Sequence, residues 1–182
     1  MRAMVRHRFN VEDFHRMQEV GILPEDARVE LVQGEILEMS PVGKRHMAAL
    51  KRLMDKLFPL QQARKALLQI QDPLRLFPDT EVQPDLVLLR FREDFYGERV
   101  PETQDALLVI EVAETSLDYD LRVKVPLYAK AGVPEVWVLD LTRDRLHRYS
   151  EPQGGAYRFQ QVLEEGTLEV LGLSFPLKEV LP

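Results

Sequence analysis

Two acids, Asp85 and Glu111, stand where an acid is expensive. Asp85 follows Pro84 and opens the run Leu86-Val87-Leu88-Leu89. Glu111 interrupts Leu107-Leu108-Val109-Ile110 just before Val112-Ala113. Desolvating a carboxylate inside such a strand costs several kcal/mol unless something compensates. A lone strand acid can pair with an arginine or face solvent from an edge. Two of them, near the ends of parallel-looking apolar runs on neighbouring strands, point instead to a shared partner. The simplest partner for two hard oxygen anions is a divalent cation, Mg²⁺ or Mn²⁺.

A cationic group should stand beside such an ion. Side chains alternate along a strand, so Glu111 and Ala113 project to one face, and alanine leaves that place empty. Lys124 can fill it from the next helix. Asp120, Lys124 and Tyr128 recur every four residues as one stripe, and Leu121 and Val125 flank it, so the stripe should face inward. The competing reading is an Asp120–Lys124 surface pair worth about 0.3–0.5 kcal/mol. Pro126 complicates the helix, because a proline past the first turn removes a hydrogen bond. Either the helix begins near Arg122 or it is kinked, and a kink would turn Lys124 away from Tyr128.

These side chains need elements to carry them. Residues 11–20 read as a short helix ended by Gly21 and Pro24, and RVELVQGEILEM as a hairpin about Gln33-Gly34. Ser40-Pro41 should open an amphipathic helix to about Phe58. Its apolar arc holds Met47, Leu50, Met54 and Leu57, with His46 on the same side. Residues 66–77 should be extended. EVQPDLVLLR, ALLVIEVA and VPEVWVLD read as central strands. The helical stretch before the last of these makes a βαβ crossover. DRLHRYS and AYRFQQV flank EPQGG as a hairpin.

Length and composition narrow the classes. The chain has 182 residues, 45% apolar and 30% charged, which suits one globular domain spanning 1–182. It has no cysteine, so disulfides, Cys-based zinc sites and a thiol nucleophile are excluded, and a reducing cytoplasm fits. The basic start lacks an apolar stretch behind it, and the longest apolar run is far too short to span a bilayer. Net charge is −6, yet residues 41–70 carry +6. That positive segment is either a solvated helix face or a place to hold a polyanion. Lys44, Arg45, Lys51, Arg52 and Lys56 form its outer arc.

The ordered set Pro84-Asp85, Glu111-Val112-Ala113 and Lys124 resembles the PD-(D/E)XK restriction-endonuclease-like superfamily. More closely, the chain resembles the Uma-type restriction endonucleases over about residues 29–140. The marks are VELVQGEILEMSP, His46, VQPDLVLL, LLVIEVAETS and DLRVKVPLYAKAGVPEVWVLD. Two departures stand out. Ala113 occupies the place of the superfamily's lysine, which the resemblance moves to Lys124. Glu114-Thr115-Ser116 replaces a Ser-Pro-Ser-Thr-like stretch.

The resemblance implies an α/β fold: a mixed central sheet flanked by helices, a restriction-endonuclease-like core with added hairpins. It implies Asp85 and Glu111 as metal ligands. Glu30 would be a further ligand, directly or through water, or else a cross-strand surface acid. His46 would touch phosphate or orient water, or else be a satisfied core histidine. Tyr128 would buttress Lys124 or contact the backbone.

The function expected is metal-dependent hydrolysis of DNA phosphodiester bonds, with Asp85, Glu111 and Lys124 as the reacting set. A homodimer would serve double-strand cleavage. The alternatives are an inert module of the same fold, binding nucleic acid or protein, and a two-carboxylate glycosidase. The inward lysine and the basic helix fit the last poorly.

Overall fold

The computed structural model describes residues 3–182. Its centre is a six-stranded sheet in the order β10-β9-β8-β7-β6-β3. The strands are β3 (Leu67–Ile70), β6 (Leu86–Leu89), β7 (Ala106–Ala113), β8 (Glu135–Asp140), β9 (Arg145–Gln153) and β10 (Ala156–Leu163). A four-stranded antiparallel sheet joins β1 (Val29–Val32), β2 (Glu35–Glu38), β4 (Leu74–Phe77) and β5 (Thr80–Val82) in the order β2-β1-β5-β4. A hairpin of β11 (Thr167–Val170) and β12 (Leu173–Pro176) follows near the C-terminus. The fold is therefore mixed α/β with a central mixed sheet and added antiparallel pieces. Among the described residues, no helix is long and apolar enough to cross a membrane.

Alternation along the central strands sorts the core into two layers. Leu86, Leu88, Leu108, Ile110, Trp137 and Leu139 meet helix α2 (Lys44–Gln62) and the C-terminal hairpin on one face. Val87, Leu89, Val109, Val136 and Val138 meet Val125, Leu127 and Tyr128, and β4 and β5, on the other. Helix α1 (Val11–Glu19) buries Val11 and Phe14 against β1, and the Asn10 side chain accepts from the Asp13 N–H at 2.8 Å to cap it.

Three expectations need correction. Helix α2 starts at Lys44, four residues after Ser40, and runs to Gln62. Its buried stripe is His46, Ala49, Leu50, Leu53, Leu57 and Leu60, whereas Met47 and Met54 are exposed. The supposed apolar arc was one edge of the true one: the sheet selects which side of an amphipathic helix is dry. The extended stretch 66–77 breaks at 71–73, so β3 and β4 enter different sheets. The runs carrying Asp85 and Glu111 are not parallel. β6 pairs antiparallel with β7 in the register Leu86↔Ile110 and Val87↔Val109, and only β7 and β8 run parallel in the central sheet. A parallel pair needs a crossover, and residues 117–131 supply it between β7 and β8. The 16 residues between β6 and β7, which include FREDFYGERVPETQD, form a loop ending in a 3₁₀ turn, Thr103–Asp105.

Asp140 closes β8 fully buried. Its Oδ1 accepts from the Thr142 N–H at 2.9 Å and hydroxyl at 2.5 Å, and its Oδ2 accepts from Arg145 Nε at 2.9 Å. Burial alone would raise this carboxyl, but Thr142, Arg145 and His147 outweigh it and hold it below the ordinary value. A lowered carboxyl stabilises the fold above the unfolded pKa of about 3.9, and that contribution fades as pH falls through the lower folded value. Asp140→Asn should therefore cost about 1.5–3 kcal/mol at neutral pH. Urea unfolding across a pH series should show the gap to wild type closing below about pH 4.

Candidate active site

Continuing the β6–β7 register by one residue sets Asp85 directly across from Glu111. The two acids lock onto each other's backbone. The Val112 N–H donates to Asp85 Oδ2 at 2.8 Å, and the Asp85 N–H reaches Glu111 Oε2 at 3.4 Å. Pro84 ends the approach to β6, and β5 lies just before it, with the Gln83 N–H donating to Glu30 Oε1 at 2.8 Å. Antiparallel pairing thus brings the start of β6 to the late part of β7, and β1 delivers Glu30 to the same place.

The helical stretch 117–131 delivers the cation. It consists of α3 (Leu117–Tyr119), a π-helical stretch (Asp120–Lys124) and α4 (Val125–Ala131). Pro126 has no N–H to continue an α-helical ladder. The chain responds with a π turn in which the Val125 N–H donates to Asp120 O, five residues back. Such single turns inside helices recur at functional sites. The helical stretch starts at Leu117, well before Arg122. Lys124 and Tyr128 stay together, with Nζ 6.0 Å from the Tyr128 ring centroid. Lys124 Nζ lies 2.5 Å from Glu111 Oε1 and 3.1 Å from Glu30 Oε1, and the Tyr128 hydroxyl donates to Glu111 Oε1 at 2.5 Å. The stripe therefore faces inward, and Asp120 and Lys124 are not a surface pair: both are buried.

His46 comes from the first turn of α2, with Nε2 3.1 Å from Asp85 Oδ2. Its Nδ1 is buried with no protein partner among the described residues. Ser116 Oγ donates to Asp120 Oδ2 at 2.6 Å. The five side chains predicted around the two acids, Glu30, His46, Asp120, Lys124 and Tyr128, are brought together with them. Three contributors had no signal in the sequence: Gln71, whose Nε2 donates to Asp85 Oδ1 at 3.2 Å; the Gln83 backbone; and Tyr119, whose buried hydroxyl has no protein partner among the described residues. Each reaches the site through a turn or strand pairing that only the fold defines.

The electrostatics follow from burial. Glu111 is pushed up to about 8 by desolvation, with Lys124 opposing and Asp120, Asp85 and Glu30 adding to the rise. Burial also lifts Asp120 to about 6 against the pull of Lys124 and Ser116. Burial alone would lower the Lys124 ammonium, but Glu111 and Glu30 outweigh it and hold it well above its ordinary value. Burial would raise Asp85 too, yet His46 and the Val112 N–H keep it below the usual range. Four buried carboxylates thus share one permanent buried cation. The site opens into a cavity of about 610 Å³.

The outer arc of α2 is only partly free. Arg45 donates to Leu141 O at 2.7 Å and to Asp144 Oδ1 at 2.8 Å, pinning the first turn to the β8–β9 turn. Lys56 pairs with Glu179. Lys44, Lys51 and Arg52 are exposed.

A family model for Uma2, described as "Putative restriction endonuclease", matches residues 11–180. The chain belongs to the Uma2 family. No curated protein matches it. Among solved structures it is similar to one from Anabaena variabilis described as "a putative nuclease belonging to DUF820". That match has 17% identity and a TM-score of 0.72, and covers 95% of this chain and 97% of the other. At that identity the likeness establishes the fold. In the Uma2 chain described here, the Tyr128 hydroxyl is a donor to a buried carboxylate, so Tyr128→Phe should lower stability by about 1.5–3 kcal/mol. Urea unfolding without added metal, beside wild type, measures it.

Proposed function

We propose that this chain is a metal-dependent endonuclease that hydrolyses phosphodiester bonds in DNA. The observation that carries this reading is the register that sets Asp85 across from Glu111, with Lys124 on the same glutamate. Membership of a restriction-endonuclease family and the nuclease fold support it.

The donor chemistry fits Mg²⁺ or Mn²⁺. All the candidate ligands are hard carboxylate oxygens. In each pair partner one oxygen is held closely, Asp85 Oδ2 by Val112 and Glu111 Oε1 by Lys124 and Tyr128. The other oxygen has only a longer contact, Oδ1 at 3.2 Å and Oε2 at 3.4 Å. Among the described residues, no group of three or more His, Asp or Glu is placed to hold a metal ion, so an ion held by this carboxylate pair would complete its shell with waters and phosphate oxygens. Asp85 and Glu111 would hold it, with Glu30 contributing directly or through water. The bound ion would supply charge neutralisation and lower the pKa of its water.

The chain's own groups do the rest. Lys124 orients the attacking water and offsets negative charge growing on the phosphate. Tyr128 and Lys124 together fix the Glu111 rotamer. His46 and the Val112 N–H fix Asp85, so His46 acts as a positioning residue. Asp120, anchored by Ser116, helps hold the Lys124 ammonium in charge balance. The exposed Lys44, Lys51 and Arg52 hold neighbouring phosphates by charge, with Arg45 and Lys56 contributing when freed from their protein partners. Such contacts weaken as salt rises and carry little sequence information.

Asp85→Ala or Glu111→Ala should reduce Mg²⁺- or Mn²⁺-dependent nicking of plasmid DNA by on the order of 10²-fold or more. Nicking at the wild-type rate in either variant overturns the assignment. Lys124→Ala should abolish cleavage while calorimetry still detects Mn²⁺ binding. An inert scaffold would instead show no Mn²⁺ heat that depends on Asp85 and Glu111.

A further inference from the structure

The groups proposed to react lie deep in the fold. Asp85 is 7% exposed, Glu111 3% and Lys124 3%. They are reached through a cavity of about 610 Å³, a size typical of small-molecule sites. One wall is the end of β2 and the 39–43 loop, and the other is the 114–119 turn. The walls come together at Gly43, where a Cβ would stand 2.8 Å from Glu114 Oε2. A double helix is too broad to enter a cleft of that size, whereas an unpaired strand can follow it to the floor.

Charge and an unpartnered donor point the same way. Glu30, Glu38, Asp85, Glu111, Glu114 and Asp120 line the cavity against only Arg28 and Lys124 as permanent cations. Duplex DNA carries about one charge per 1.7 Å of axis, a single strand about half that density. An acidic mouth therefore penalises the duplex more. Tyr119 is the aromatic ring on the wall, and its buried hydroxyl has no protein partner among the described residues. A buried donor left unpaired costs about 1–3 kcal/mol, so a ligand or water should meet it. Lys44 follows Gly43 at the mouth and is exposed, placed to meet a strand entering there.

We propose that the substrate of this site is unpaired DNA, a single strand or an unpaired stretch within a duplex, threaded between the 38–43 loop and the 114–119 turn. The inference rests on the nuclease reading above and narrows it. It also removes the need for two copies of the chain, since one strand is cut at one site.

The test compares three end-labelled oligonucleotides of one sequence with the full chain and Mn²⁺: the single strand, the fully paired duplex, and a duplex with an internal unpaired bulge. The single strand should be cut on the order of tenfold or more faster than the duplex, with the bulged duplex cut at its bulge. Equal or faster cutting of the paired duplex overturns this proposal and leaves the nuclease reading standing. Failure to cut any of the three, while calorimetry shows Mn²⁺ bound through Asp85, overturns both.

Discussion

A single buried ammonium holds the site's architecture together. Lys124 Nζ bridges Glu111 of β7 and Glu30 of β1, so one side chain ties the crossover helix to both sheets. Without it, Glu30 and Glu111 would face each other at low dielectric with no countercharge, a situation proteins escape by protonation or unfolding. With it, the site still holds more acid than base, since Asp85 and Asp120 are buried as well. That surplus of acid is what the proposed cation would offset.

Keeping that ammonium in position depends on how the crossover helix treats Pro126. A regular α-helix through residue 126 would leave a carbonyl without its donor. The π turn over Asp120–Lys124 absorbs the missing N–H and keeps Asp120, Lys124 and Tyr128 turned towards Glu111. A lysine on this helix thereby stands in for one at Ala113 on the strand. The geometry works because Glu111 and Ala113 lie on the sheet face that the helix covers, beside Val109 and Val138.

The surface around the site divides its positive charge between structure and recognition. Arg45 fastens the start of α2 to the turn after β8, and Lys56 fastens a later turn to the 3₁₀ turn Leu177–Glu179. Because α2 is anchored, His46 can stand firmly against Asp85. The exposed cations on the same helix lie outside an acidic cavity.

Much of this was legible in the residues. Acids inside apolar runs cost too much to be incidental, so Asp85 and Glu111 stood out. The four-residue spacing of Asp120, Lys124 and Tyr128 identified an inward stripe. The apolar, β-rich run ALLVIEVA predicted β7, Ala106–Ala113. Strand direction was not legible, because an apolar run reads the same in parallel and antiparallel pairing. Which edge of α2 is dry depended on the sheet it meets, so Met47 and Met54 were misplaced. Pro126 allowed two outcomes, and the packing of Tyr128 on Glu111 selected a third. Gln71, the Gln83 N–H and Tyr119 had no signature, since they reach the site through turns and register. Residue chemistry by itself determined which groups are too costly to bury alone. Only tertiary structure decided who relieves that cost, because the relief comes from atoms far apart along the chain.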